Sequence, residues 1–189
     1  MRVLIAMPTS RHIEVETSAS LIGMHKVGEI GVYMPVGYSV DVSRNLIVEH
    51  AISNNYDYIF WVDTDMIVPK DALIKMLSSG KDIISGVYSY KLLNGTNAVA
   101  KINKNGIYKD IPLKKIRETN KIMEVDGIGF GCVLTKTSVF NALRKPYFKF
   151  TEVCGEDIYF CIKAQEKGYK VYLDTSIKCG HIGSVNYNI

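Results

Sequence analysis

Five uninterrupted apolar or aromatic residues, Tyr58-Ile59-Phe60-Trp61-Val62, run straight into Asp63-Thr64-Asp65. A short apolar run bounded by polar residues reads as a strand buried on both faces. Residues 2–8 (RVLIAMP) and 81–90 (KDIISGVYSY) read the same way, and 31–37 (GVYMPVG) is a shorter strand ended by Pro35 and Gly37. Helical patterns lie between them. Residues 15–26 form one, weakened by Gly23. Residues 40–55 form a second, with Asp41 able to cap it and Asn54-Asn55 able to close it. The third is 69–80, with Pro69 in its first turn and Gly80 after its last. Alternating strands and helices over the first 90 residues predict an α/β fold with a mixed, mostly parallel central sheet and helices on both faces. Ligands of such sheets bind outside the carboxyl ends of the strands. Asp63 and Asp65 stand at one of those ends.

Beyond residue 90 the pattern is less regular. Residues 91–121 are polar and rich in Lys and Asn, with short candidate strands near 97–102 and 105–109, and read as a flexible excursion. Residues 121–136 read as two strands around a glycine-rich turn. Helices are expected at about 137–143 and 155–167, with a strand at 169–173. The whole of 1–189 is expected to form one domain, with 1–90 the nucleotide-binding half and 122–189 the half that meets the transferred group and its acceptor.

Composition narrows the function. The chain has 189 residues, enough for a sizeable core without disulfides. Its net charge of +4 is too small and dispersed to argue for nucleic acid, so none is expected as a partner. No apolar run reaches the ~18–20 residues of a membrane span. The opening MRVLIAMPTS suits a first strand better than a signal peptide, and a cytoplasmic location is expected. Cys132, Cys154, Cys161 and Cys179 include no C-x-x-C pair and read as reduced packing residues.

An Asp after a strand is usually a turn former or helix cap. Here the following helix has its own start at Pro69 and its own acidic residue, Asp71. In extended chain Asp63 and Asp65 would point to one side, and two like charges there repel unless a cation sits near them. A hard divalent cation, Mg²⁺ or Mn²⁺, takes oxygen ligands and needs few from the protein when phosphates supply the rest. The pair thus points to a metal-bound phosphate or diphosphate. Two phosphate-handling families fit poorly. Haloacid-dehalogenase phosphatases carry the pair on their first strand, where VLIAMP has no Asp. Sugar-phosphate nucleotidyltransferases open with a glycine-rich loop that MPTSRHIEVE lacks.

The order of the remaining pieces resembles a small nucleotide-sugar glycosyltransferase of the GT-A, Rossmann-like fold, similar to inverting family 2. VLIAMPTS, with Pro8, matches the strand end that frames the base. VSRN matches a helix facing the nucleotide through Ser43, Arg44 and Asn45. IFWVDTD matches the D-x-D strand, DGIGFGC the segment walling the donor sugar, GEDIYF the acidic pair, and CGHIG a His-bearing turn. The resemblance implies a Mn²⁺ or Mg²⁺ cofactor, a nucleoside-diphosphate sugar donor and a glycan, lipid or protein acceptor. It implies Asp65 as metal ligand, Asp63 near ribose or metal, and His181 as a third ligand or phosphate contact. Asp157 becomes the general base, with Glu156 beside it or on the sugar, and Asp126, Gly129 and Gly131 line the sugar.

Each residue also has a plainer reading. Arg44 and Asn45 suit a solvated helix face. Gly127, Gly129 and Gly131 suit a tight hairpin with a bulge. Acidic residues favour a helix N-terminus, and a lone His is often structural. With no evident acceptor domain, the acceptor is expected on a large surface or held with the help of a partner, and peripheral attachment of the chain to a membrane or a larger complex stays open.

Overall fold

The computed structural model describes residues 1–91, 96–105 and 107–183. Parts of the expected excursion (92–95 and 106) and the segment 184–189 lie outside the described residues. The first strands and helices alternate: β1 (Arg2–Ala6), α1 (Val15–Gly23), β2 (Glu29–Tyr33), α2 (Val40–Ser53), β3 (Tyr58–Val62), β4 (Met66–Ile67), α3 (Ala72–Ser78) and β5 (Ile83–Val87). A hairpin follows, β6 (Asn97–Lys104) and β7 (Ile107–Pro112), then β8 (Ile122–Val125), β9 (Gly127–Ile128) and β10 (Cys132–Lys136). The chain continues through α4 (Thr137–Asn141), α5 (Glu156–Glu166), β11 (Val171–Lys178) and β12 (Gly180–His181).

Among the described residues the main sheet has seven strands, in the order β2-β1-β3-β10-β5-β11-β8. β1 pairs parallel with β2 and β3, and β5 with β11, while β10 and β8 pair antiparallel with their neighbours. Five of the seven strands therefore run one way, as the α/β reading expects. The chain passes from β1 to β2 on one side and returns to β3 on the other. That reversal leaves a crevice at the carboxyl ends of β1 and β3.

Alternation along the strands divides the core in two. Leu4, Ala6, Ile59, Trp61 and Val133 face one layer, with Ile47 and Val48 of α2 and Phe140 and Phe160 of α4 and α5. Val3, Ile5, Phe60, Val62 and Leu134 face the other, with Leu73 and Met76 of α3. The Trp61 indole N–H donates to Thr135 Oγ1 at 2.9 Å, so the bulkiest core side chain is buried without an orphaned donor. α2 closes as its sequence suggests: Asn54 Nδ2 donates to the His50 carbonyl at 2.8 Å and Asn55 takes φ +56°. Cys132, Cys161 and Cys179 are buried free thiols, and burial pushes the Cys161 thiol up to about 12. No described helix is long and apolar enough to cross a membrane.

The candidate strands near 97–102 and 105–109 are present as the β6–β7 hairpin, whose inner residues Ala98, Ala100 and Ile111 are buried. Two local expectations change. Residues 121–136 are not two strands around a turn. They are three strands in two sheets: β8 pairs with β11, β9 with β6, and β10 with β3 and β5. Helix α3 begins at Ala72, and Pro69 lies in the preceding turn, its carbonyl accepting from Ala72 N at 3.0 Å.

Candidate functional site

The site begins where β3 stops. Asp63, Thr64 and Asp65 form a turn and are not extended chain, so the expected same-side geometry of the two carboxylates does not hold. Every carbonyl of the turn is tied down: Asp63 O accepts from Met66 N, Thr64 O from Glu14 N and Asp65 O from Ile182 N. The turn's own closing bond and two distant segments thus fix its backbone, and the side chains diverge to different partners.

Asp63 faces α2. Its Oδ1 accepts from Arg44 Nη2 at 3.3 Å, and Arg44 Nη1 donates to Glu156 Oε1 at the head of α5. Arg44 is 4% exposed and lies over the Phe130 ring at 5.1 Å. The guanidinium expected to face the nucleotide therefore clamps the turn to the head of α5. Burial raises the carboxyl of Glu156 above its usual range, against the pull of Arg44 and with a push from Asp157. Enclosure raises Asp63 in the same way, with Arg44 opposing and Asp65 adding to it.

Asp65 faces the other way. β12 pairs antiparallel with β4, with His181 opposite Met66. This two-residue ribbon brings residues from opposite parts of the chain together. His181 Nδ1 lies 2.7 Å from the Ser89 carbonyl, so that nitrogen carries the hydrogen. In the neutral ring the lone pair of Nε2 is then free. Nε2 stands 3.6 Å from Asp65 Oδ1, a buried oxygen with no hydrogen-bond partner among the described residues. Leaving such an acceptor unmet costs about 1–3 kcal/mol. Metal-ligating histidines commonly donate their second nitrogen to a carbonyl in this way. Asp65 and His181 therefore fit two ligands of one cation. No group of three or more His, Cys, Asp or Glu side chains converges among the described residues. Any cation here would draw its remaining oxygens from substrate and water.

Tyr88 stands in the middle of the site, and sequence reasoning overlooked it. Its hydroxyl accepts from Gly131 N at 2.9 Å. Burial raises the phenol well above its usual value, and Asp63 and Asp157 add to the rise. Its ring meets His181 edge to face at 5.5 Å between centroids. Ser89 and Lys91 were also missed, and the Lys91 ammonium donates to Asp65 Oδ2. All three follow the carboxyl end of β5, so the rule that pointed to Asp63 could have found them.

Asp157 lies in the first turn of α5, partly exposed, with Oδ1 accepting from Ile158 N at 2.7 Å. Pro8 follows the end of β1 and is half-buried, while Ser43 is buried with its hydroxyl unpartnered. Three expected contacts have other duties. Asn45 holds the 147–148 backbone: its Nδ2 donates to Phe148 O and its Oδ1 accepts from Tyr147 N, each at 2.8 Å. The amide expected to face the nucleotide is thus engaged by backbone on both sides. Asp126 Oδ2 accepts from Asn103 N at 2.7 Å and ties the chain to the hairpin. The glycines are shaped by neighbouring side chains. An added Cβ at Gly129 would meet Tyr88 Oη at 2.4 Å, at Gly131 Tyr88 Cζ at 2.9 Å, and at Gly127 Ile158 Cδ1 at 2.6 Å.

No protein-family model matches the chain, and no curated protein matches its sequence. Solved structures do match its fold. A197 from STIV superposes with a TM-score of 0.71 at 20% identity, covering 97% of this chain and 86% of that one. GalNAc-T7, crystallised with UDP, GalNAc and Mn²⁺, superposes with a TM-score of 0.66 at 12% identity, covering 97% of this chain and 44% of that one. At these identities the likeness is one of fold, and that fold is the mixed α/β, GT-A-like one.

Proposed function

We propose that this chain is a metal-dependent glycosyltransferase that moves a sugar from a nucleoside-diphosphate donor to an acceptor hydroxyl with inversion. The observation that carries this is the unpartnered Asp65 Oδ1 faced by the free nitrogen of His181 at a strand's carboxyl end. Charge supports it. Asp63, Asp65, Glu156 and Asp157 outnumber the cations Arg44 and Lys91 by two among the described residues of the site. A diphosphate would be repelled there unless a cation came with it. GalNAc-T7, which shares the fold, was crystallised with such a set of ligands.

In this reading Asp65 and His181 hold Mn²⁺ or Mg²⁺, and Asp63 approaches the ribose or the metal. When bound, the cation would neutralise charge on the departing diphosphate. Asp157 takes the proton of the acceptor hydroxyl as that oxygen bonds to the anomeric carbon and the bond to phosphate breaks, its electron pair leaving with the diphosphate. Glu156 holds Arg44 and, through it, Asp63. Residues 1–189 act as one catalytic unit, with 1–90 holding the nucleotide and 122–189 the sugar and acceptor.

The test is a panel of nucleoside diphosphates and their sugar conjugates, assayed for binding with and without Mn²⁺ and then for transfer to candidate acceptors. Asp157→Asn should keep donor binding and lower transfer by about 10²–10⁴-fold. Asp65→Asn should lose metal-dependent binding. Full transfer in both variants would sink the assignment. Donor turnover that needs no acceptor would favour a nucleotidyltransferase or phosphatase, and metal-dependent binding without turnover a binding module.

A further inference from the structure

The two oxygens of Asp65 are unlike. Oδ1 is buried, unpartnered and faces His181, while Oδ2 is held by the Lys91 ammonium. The site's two cationic side chains are equally unlike. Arg44 is 4% exposed and fixed between Glu156 and Asp63. Lys91 is 38% exposed and, among the described residues, has a single ion-pair partner, Asp65. A lysine ammonium is a compact charge on a flexible stem that can swing between partners. Lys91 also belongs to the segment that orients the histidine, since the Ser89 carbonyl two residues earlier accepts from His181 Nδ1. One stretch after β5 thus sets the free nitrogen toward Asp65 and places a positive charge on the same carboxylate.

We propose that Lys91 is a resident counter-ion for Asp65 that hands over to the donor. It neutralises Asp65 while no metal is bound. When a divalent cation takes Asp65, repulsion between like charges drives the ammonium off. It then pairs with the diphosphate, the new anion that arrives with the metal. Lys91 is therefore a positioning residue for the diphosphate, and it makes metal and nucleotide bind cooperatively: metal alone must displace an ion pair, whereas metal with diphosphate gives the ammonium a new partner. The inference rests on Asp65 binding the cation.

Mn²⁺ affinity measured by electron paramagnetic resonance, with and without a nucleoside diphosphate, tests it in the wild type, Lys91→Ala, Lys91→Arg and Asp65→Asn. Lys91→Ala should bind Mn²⁺ alone about fivefold more tightly, the size of a partly exposed ion pair. At saturating Mn²⁺ it should bind the nucleoside diphosphate about fivefold more weakly, and Lys91→Arg should restore most of that loss. If Lys91→Ala leaves both affinities unchanged, or weakens both, the counter-ion role is wrong even though Asp65→Asn abolishes Mn²⁺ binding. If Asp65→Asn binds Mn²⁺ as the wild type does, the metal-site reading itself fails.

Discussion

Glu156 carries the site's clearest residue-scale compromise. It is 7% exposed, it pairs with Arg44, and its carboxyl is nonetheless raised above its ordinary value of 4.5 because burial outweighs the pair. The folded protein therefore binds this proton more tightly than the unfolded chain does. That preference contributes stability that is fully present below pH 4.5 and lost as pH rises through the raised value. Asp63 shifts the same way, so the effect is shared. Glu156→Gln cannot titrate. Its stability should fall less steeply with pH just above 4.5 than that of the wild type, as read by urea midpoints in matched buffers. Parallel profiles would show that Glu156 ionises alike in the folded and unfolded states. The acidic pair was visible in GEDIYF, but the pairing of Glu156 with Arg44 spans 112 positions, and no local pattern records it.

Among elements, the glycine-rich segment shows most clearly what tertiary packing adds. GIGFG suggested a hairpin that lets backbone approach a sugar. In the folded chain these residues lead from β9 in the smaller sheet to β10 in the main sheet, and the missing side chains make room for Tyr88, Val99 and Ile158. Gly129→Ala would place its methyl 2.4 Å from Tyr88 Oη and 2.5 Å from Val99 Cγ1. Overpacking of this kind costs about 1–3 kcal/mol. Urea unfolding should show that loss, with partial recovery when Val99→Ala is added. A neutral Gly129→Ala would mean that Tyr88 moves freely and does not anchor the site. Strand and helix types were mostly legible, because a run such as YIFWV has one stable fate in water. The hairpin was harder to weigh. Its inward residues include two alanines, which look no different in a polar stretch from loop residues.

Across the whole molecule, the site is assembled from distant parts. Glu14, Arg44, Asp65, Ser89, Glu156 and His181 come from distant parts of the chain and are tied together around the turn at the carboxyl end of β3. A ligand bridging them stabilises the fold as a unit. A nucleoside diphosphate with Mn²⁺ at about 100 times its Kd should add about 2.7 kcal/mol. In a chain of this size that raises the Tm by about 5–10 °C. Chelation of the metal should remove the shift, and an equal shift without metal would contradict the cation-bridged reading.

The sequence by itself determined the α/β framework of a central sheet with helices on both faces, the strand-end position of the Asp-Thr-Asp turn, and the presence of acidic and histidine residues near later strand and helix ends. Those features follow from local hydrophobic periodicity. Only the tertiary structure decided which side chains meet. It gave Arg44 to Glu156 and Asp63, Asn45 to the 147–148 backbone, the glycines to Tyr88, and Asp65 to His181 and Lys91. Pairings across 19 to 116 positions depend on strand order and register, which are set by burial of the whole core and leave no trace in the spacing of neighbouring residues.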